Sequence, residues 1–443
     1  MSVDGWIDDQ YAHAGRAMLR SVSPLQIIKT RPGFAQVIHP RRGAIVASPV
    51  LGAYDPEPDY FFHWFRDSAV VLDALRLLYE DGSLGADALT HLDDCVQFTL
   101  SLQRLDGRRL VAEPAWRAAV APDFQKFLRS DADLMSAHGD SIAAETRVNA
   151  DATLDISSWP RPQHDGPALR ALTLLRWSRL DAAVRASGGL GELLRSDLRF
   201  IAQRWREPSY DIWEEECGQH YYTIRVAAAA LEQGAAWFEQ QGEPAGACAC
   251  RRAAALARDA LEDFWVPGEG YVRSRLEVAR VDHTAARTDK SLDIAVVLAA
   301  IHAGTGGMHS AQDPRLQATL ARLEAMFDAI YPINHSRPSG RGIAMGRYAG
   351  DLYYSGGAYF FSTLGAAEFC FRAASAGPDR TAWIRRGDAF LETVRAYASG
   401  SGDLSEQFDQ RSGRQTSARH LAWSYAAFIS CVHARRVAMG RDG

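Results

Sequence analysis

The stretch Tyr210 to Tyr222, YDIWEEECGQHYY, sets Asp211, Trp213 and three consecutive carboxylates, Glu214, Glu215 and Glu216, ahead of a strongly helical run. Two kinds of chemistry fit it. Glutamates at a helix start interact favourably with unpaired N–H groups and with the positive end of the dipole. On local spacing, at least one of the three serves that purpose. Carboxylates beside aromatic rings also suit a sugar, whose hydroxyls need fixed donors and acceptors and whose ring faces pack on aromatic planes.

The same composition recurs along the chain. PDYFFHWFRDSAVV (58–71) carries Tyr60, Trp64, Arg66 and Asp67, and NADATLDISSWPRPQHDGPALR (149–170) carries Trp159, Arg161 and Asp165. GRYAGDLYYSGGAYF (346–360) carries Arg347, Asp351, Tyr353 and Tyr354. LSEQFDQRSGRQTSARHLAWSYAAF (404–428) carries Glu406 and Trp423. Any one alone reads as a capped helix with a surface ion pair, and Asp67 and Asp165 in particular read as helix-start charges. Brought together, these loops could line one pocket able to cleave a glycosidic bond. Such cleavage needs a protonated carboxylic acid at the leaving oxygen. An inverting enzyme also needs an ionised carboxylate that activates water on the opposite face. The glutamates at 214–216 and at 406 are the candidates. Crowding of negative charge at 214–216 should favour the protonated state that a general acid needs.

Helices must position these loops. Apolar residues recur at helical spacing and strand-like alternation is scarce. The breaks delimit helices at 11–23, 68–82, 89–107, 166–180, 190–206, 221–242, 246–266, 292–304, 315–331, 358–377, 381–399 and 417–439. SAVVLDALRLLYEDG is apolar almost all round, as a doubly buried helix should be, whereas LTHLDDCVQFTLSLQRLDG carries a stripe of Leu92, Val96 and Leu100. Short connections favour antiparallel neighbours. The all-α fold expected is an (α/α)6 barrel, six helical hairpins in a double ring. An open solenoid would show a repeat of roughly 30 to 50 residues, and no repeating motif is found. Without a linker or low-complexity tract, residues 1–443 read as a single domain. The long non-helical stretches fall at 30–66, 108–165, 207–220, 267–291, 332–357 and 400–416, where aromatics and carboxylates gather.

Composition excludes other classes. A chain that is 47% hydrophobic and 23% charged buries a large core. A net charge of −5 and a pI near 6.2 give no electrostatic reason to expect nucleic acid or an anionic membrane as partner. The six cysteines are scattered without a CxxC pair, so neither a zinc site nor a disulfide framework is expected. MSVDGWIDDQYAHAG lacks the features of a signal peptide, and no apolar run is long enough to span a bilayer. The expected location is the cytoplasm.

On GAIVASP, PDYFFHWFRDS, SSWPRPQHDGPALR, YDIWEEECG, GRYAGDLYYSGGAYF and LSEQFDQ…SARHLAWSYAA, the chain resembles the glucoamylase family, glycoside hydrolase family fifteen, over nearly its full length. The resemblance implies an (α/α)6 barrel and an inverting, exo-acting α-glucosidase that releases β-D-glucose from non-reducing ends, with no cofactor and no metal. By position, Glu214 corresponds to the general acid and Glu406 to the general base, assisted by Tyr60 and supported by the hydroxyl of Ser417. Arg66 and Asp67 are expected to hold hydroxyls of the terminal glucose, and Arg347 to bind near the cleavage point. Trp159, Glu215, Trp423 and Tyr353 correspond to subsite positions, and Trp64, Asp211, Trp213 and Asp351 join the substrate-binding set. Glu216 is left as the helix-start charge.

The partners implied are α-linked gluco-oligosaccharides. α-1,4 linkages come first, with an α-1,6 preference or trehalose hydrolysis open within the same chemistry. A non-catalytic glucan-binding regulatory module is the rival from another class, and intact Glu214 and Glu406 argue against it. A phosphorylase on the same fold would have no use for the water-activating base. Departures from the family pattern are His63, His164, Cys217 (read as a small packed thiol), Asp155 in place of an aromatic, and extra material around 117–145. The last two bear on the leaving-group side of the pocket.

Overall fold

The computed structural model describes residues 3–440 except 54–55, 181–183, 185–187, 277–289 and 376–378. Part of the expected loop 267–291 and the end of the helix expected at 358–377 therefore lie outside the described residues. Twelve helices of nine residues or more carry the architecture among the described residues. They are α1 (Val3–Leu19), α2 (Phe65–Glu80), α3 (Asp87–Leu102), α4 (Asp165–Trp177), α5 (Gly188–Arg204) and α6 (Tyr221–Gln240), followed by α7 (Pro244–Leu261), α8 (Ala295–Ala303), α9 (Pro314–Ile330), α10 (Phe360–Ala374), α11 (Arg380–Tyr397) and α12 (Ala422–Met439).

The even-numbered helices touch in a closed cycle, from α2 through α4, α6, α8, α10 and α12 back to α2, and each odd-numbered helix lies outside against one of them. This is the (α/α)6 barrel. Side-chain chemistry explains the division. In α4 every residue but Arg176 is buried, and in α10 every residue but Arg372, so these helices are enclosed on all sides and mostly apolar. Outer α7 buries only a stripe, Ala247, Cys250, Ala253, Ala254, Ala257 and Leu261. The alanine run 227–230 on α6 lets inner neighbours approach closely, and one hydrophobic cluster extends from Ile7 to Ala438.

Helix ends fall near those expected, with one large exception. The first helix starts at Val3, not at 11, because Ile7 is buried and Trp6 packs edge-on against Phe428 of α12 at 5.6 Å. The stretch 108–165, expected to be non-helical, holds short helices at Gly107–Ala112 and Asp131–Ser136. Asp106 and Ser130 cap them by accepting from the backbone N–H groups of Arg108 and Asp133. Because the ring alternates inner and outer helices, the N-terminal ends of the even-numbered helices face one end of the barrel. Small antiparallel pairings pin the segments that lead into them: Phe62–Trp64 with Arg147–Asn149, Ser209–Tyr210 with Cys217–Gly218, and Gln407–Phe408 between Ala358–Tyr359 and Gln415–Thr416.

Candidate active site

Glu214 lies at the tip of the tight hairpin between Tyr210 and Cys217, with φ = 65°. A left-handed backbone at a non-glycine residue costs about 1 kcal/mol, and this turn is held by strong local bonds. Asp211 Oδ1 accepts from the backbone N–H of Glu215 (2.7 Å) and Glu216 (3.0 Å), and its carbonyl oxygen accepts from that of Glu214 (3.0 Å). Asp211 therefore shapes the turn that presents Glu214. Three donors meet the Glu214 carboxylate: Trp64 Nε1 at 2.9 Å, Arg66 Nη2 at 2.7 Å, and Trp159 Nε1.

Arg66 opens α2 and is held from below by Asp165, the first residue of α4, at 2.9 Å. Gly166 makes this possible, since a Cβ there would stand 2.7 Å from that of Phe65. Asp165 is thus the buried partner of Arg66 as well as a helix-start charge. Asp67 lies beside them, and burial pushes its carboxyl up to about 6. Arg66 Nε and Asp165 Oδ1 have no hydrogen-bond partner among the described residues, and Asp67 stands 4.0 Å from Arg66 Nε.

The three consecutive glutamates do not crowd one another. Glu215 turns to Arg347 (3.0 Å), Tyr348 Oη (2.6 Å) and Lys290, and Glu216 pairs with Arg275. Each carboxylate has its own cation, so the mutual repulsion expected from the sequence is replaced by divergence. The helix-start role expected of Glu216 is not observed, since α6 begins only at Tyr221.

Glu406 lies on the other side, reached through the pairing at Gln407. It is buried, Ser417 Oγ donates to its Oε2, and Tyr60 Oη lies 3.4 Å from its Oε1. Tyr60 also meets Tyr353 Oη at 2.7 Å. Burial pushes the Glu406 carboxyl up to about 7, with the Ser417 hydrogen bond and Arg347 pulling the other way. Arg347 is locked by Asp351 (2.5 and 2.7 Å), which is itself bonded by Tyr359 Oη at 3.0 Å. Asp351 therefore anchors Arg347.

Trp423, Phe361 and Trp213 form an aromatic stack, with Trp423 on Phe361 at 4.4 Å and 10° and Trp213 beyond at 6.0 Å. The Trp213 indole N–H donates to Asp293 at 2.8 Å, and burial pushes that carboxyl up to about 7. Reading the sequence missed Phe361, Asp293, Lys290 and Tyr348, which show no local signal beyond their residue type. It also missed Gln163, whose side chain meets Arg66 and the Asp211 carbonyl.

The departures have defined places. His63 is buried, accepts from the Ile45 N–H at 3.0 Å and is held by burial to about 3, so it is a neutral core residue. His164 is buried against Phe200. Cys217 is largely exposed, correcting the packed thiol expected, and the burial of part of its surface together with Asp211 raises its thiol, the reverse of an activated nucleophile. Asp155 is 1% exposed and faces Arg147 and Arg161, not the pocket. No group of three metal-ligating side chains occurs among the described residues, and no helix among them is long and apolar enough to cross a membrane.

Comparison with known proteins finds similarity in sequence and in fold. The sequence model of glycosyl hydrolases family 15 matches residues 25–385 and 379–433. Glucoamylase 1 of Rhizopus oryzae is 26% identical over 98% of this chain and 71% of its own length. The probable glucoamylase of Schizosaccharomyces pombe is 27% identical over 99% of this chain and 93% of its own. The structure of the family 15 glucoamylase from Hypocrea jecorina superposes with a TM-score of 0.78 at 25% identity, over 99% of this chain and 73% of that one.

Proposed function

Because the chain belongs to family 15 of the glycosyl hydrolases, we propose that it is an inverting, exo-acting α-glucosidase of glucoamylase type, built as one catalytic unit over residues 1–443. It removes β-D-glucose from the non-reducing ends of α-1,4-linked gluco-oligosaccharides. The observation that carries this reading is a pair of mostly buried glutamates with opposite surroundings at one end of the barrel. Glu214 is ringed by three N–H donors, and Glu406 by hydroxyls.

These surroundings suit two roles. When Glu214 gives its proton to the leaving oxygen, the charge left on its carboxylate is received at once by two indole N–H groups and the Arg66 guanidinium. Donors fixed in advance where charge develops lower the barrier without reorganisation. Glu406 takes the proton of the attacking water, which Tyr60 helps to place. Arg66 and Asp67, whose side chains face each other at 4.0 Å, hold hydroxyls of the terminal glucose, whose ring rests near Trp423. Arg347 and Glu215 mark the leaving-group side.

Proton NMR of the protein with maltose, isomaltose and trehalose in phosphate-free buffer tests the proposal. β-Glucose appearing first, fastest from maltose, is the expected result. α-Glucose first, or turnover only with phosphate, would overturn it.

The acid limb of the rate profile follows from Glu406. A base must be ionised, and burial has moved this group up to about 7. kcat/KM for maltose should therefore fall about tenfold per pH unit below about 7. In Ser417→Ala a bond that favours the ionised form is lost, so the limb should move to higher pH, by about one unit. A limb that stayed in place, or moved to lower pH, would remove Glu406 from the role.

A further inference from the structure

Arg147 stands directly opposite Trp64 in the antiparallel pairing of Arg147–Asn149 with Phe62–Trp64. Its guanidinium carbon lies 3.6 Å from the ring centre of Trp159, 4.7 Å from that of Trp64 and 4.1 Å from that of Phe62. The two indoles meet nearly edge to face, at 6.2 Å and 81°, and both donate their N–H to Glu214. One cation thus backs both rings that grip the carboxylate.

The cation is held in turn. Asp155 Oδ2 accepts from Arg147 Nε at 2.8 Å, and Asp155 Oδ1 is fixed by the backbone N–H and hydroxyl of Ser157, at 2.8 and 2.7 Å. Asp155 also meets Arg161, which pairs with Glu145 at 2.7 Å, and Glu145 pairs with Arg129 at 3.0 Å. Arg129 lies in the 117–145 segment and is 1% exposed. A chain of alternating charges therefore runs from that segment to the back of Trp159, and Asp155 is its hub.

We infer that Arg147 is a positioning residue for the proton donor: its guanidinium clamps Trp64 and Trp159 so that their N–H groups stay aimed at Glu214. A cation over an indole face also draws electron density from the ring. Both N–H groups then become better donors to the carboxylate left behind when the proton departs. The inference rests on the proposed role of Glu214, and Arg147 is buried behind the two rings.

The test compares two substrates. Maltose needs a proton at its leaving oxygen, whereas α-glucosyl fluoride leaves as fluoride ion and needs none. In Arg147→Gln, kcat on maltose should fall about tenfold with KM nearly unchanged, while kcat on the fluoride stays within about twofold. Arg147→Lys keeps a positive charge at the rings and should recover most of the loss. If Arg147→Gln fails to fold because Asp155 loses a partner, the double variant Arg147→Met with Asp155→Asn removes both charges and allows the same comparison. Equal losses on both substrates, no loss on either, or no rescue by lysine would overturn the inference. A wild-type protein that hydrolysed neither substrate would overturn the functional reading, and this inference with it.

Discussion

Glu214→Gln is expected to lower kcat on maltose by about 10²- to 10⁴-fold, the range that a positioned general acid contributes. An amide has no proton acidic enough to assist the leaving oxygen. Its fit is also impaired. Oε1 of Glu214 receives Trp64 and Arg66, and Oε2 receives Trp159. An amide can offer oxygen to only one of these sides. With the oxygen facing Trp64 and Arg66, its NH2 opposes the Trp159 N–H, donor against donor. KM should change far less than kcat, because the carboxylate's chief contacts are with protein groups. The rate on α-glucosyl fluoride should fall much less than that on maltose. Steady-state kinetics on the two substrates checks this, and a variant that kept near-normal turnover of maltose would strip Glu214 of the acid role.

Glu406→Gln should be as damaging, by about 10²- to 10⁴-fold, with a different signature. Water must be activated whatever group departs, so maltose and the fluoride should suffer alike. The amide can place its oxygen on the Ser417 hydroxyl and its NH2 toward Tyr60, which leaves the buried hydrogen bonds intact. Stability and sugar affinity should then persist. Calorimetric binding of maltose to this variant, together with its lost turnover, is the paired measurement. Unimpaired hydrolysis of the fluoride would assign the base elsewhere.

Together the two variants give a signature that neither would give alone. A selective loss on maltose marks proton donation, and a uniform loss marks water activation. An exchange of the two patterns would reverse the assignments, and uniform losses in both variants would point to damage to the pocket, not to separate roles.

The barrel was legible because its helices repeat their chemistry every turn. An inner helix such as α10 is mostly apolar on all faces and an outer one such as α7 on one, and both patterns are local. The start of α1 escaped because Val3–Asp9 is held by packing on Phe428, more than four hundred residues away in sequence. At the site, residue types pointed to the segments of Glu214, Glu406, Arg66 and Trp159, since the same mixture of carboxylate, arginine and aromatic recurs in each of several loops. Orientation was not legible. Glu214, Glu215 and Glu216 read as one block of charge, and only the turn imposed by Asp211 separates them toward three different cations. Asp155 read as a change in the pocket because its neighbour in sequence, Trp159, belongs there. Its true partners, Arg147 and Arg161, are set by strand pairing and burial.

The ring closes where α12 meets α2, without a covalent link at that seam. Tyr60 and Glu406, which face each other across it, are separated by 346 positions. A ribosome adding residues at about 5–20 per second needs on the order of tens of seconds between them. Until α12 is made, the flank of α2 that it covers has no ring neighbour. α12 covers that flank, brings Trp423 to the pocket and carries the approach to Ser417 into register. On the proposed roles, catalytic competence arrives at once and late, and a nascent chain cannot act on sugar before its ring has closed.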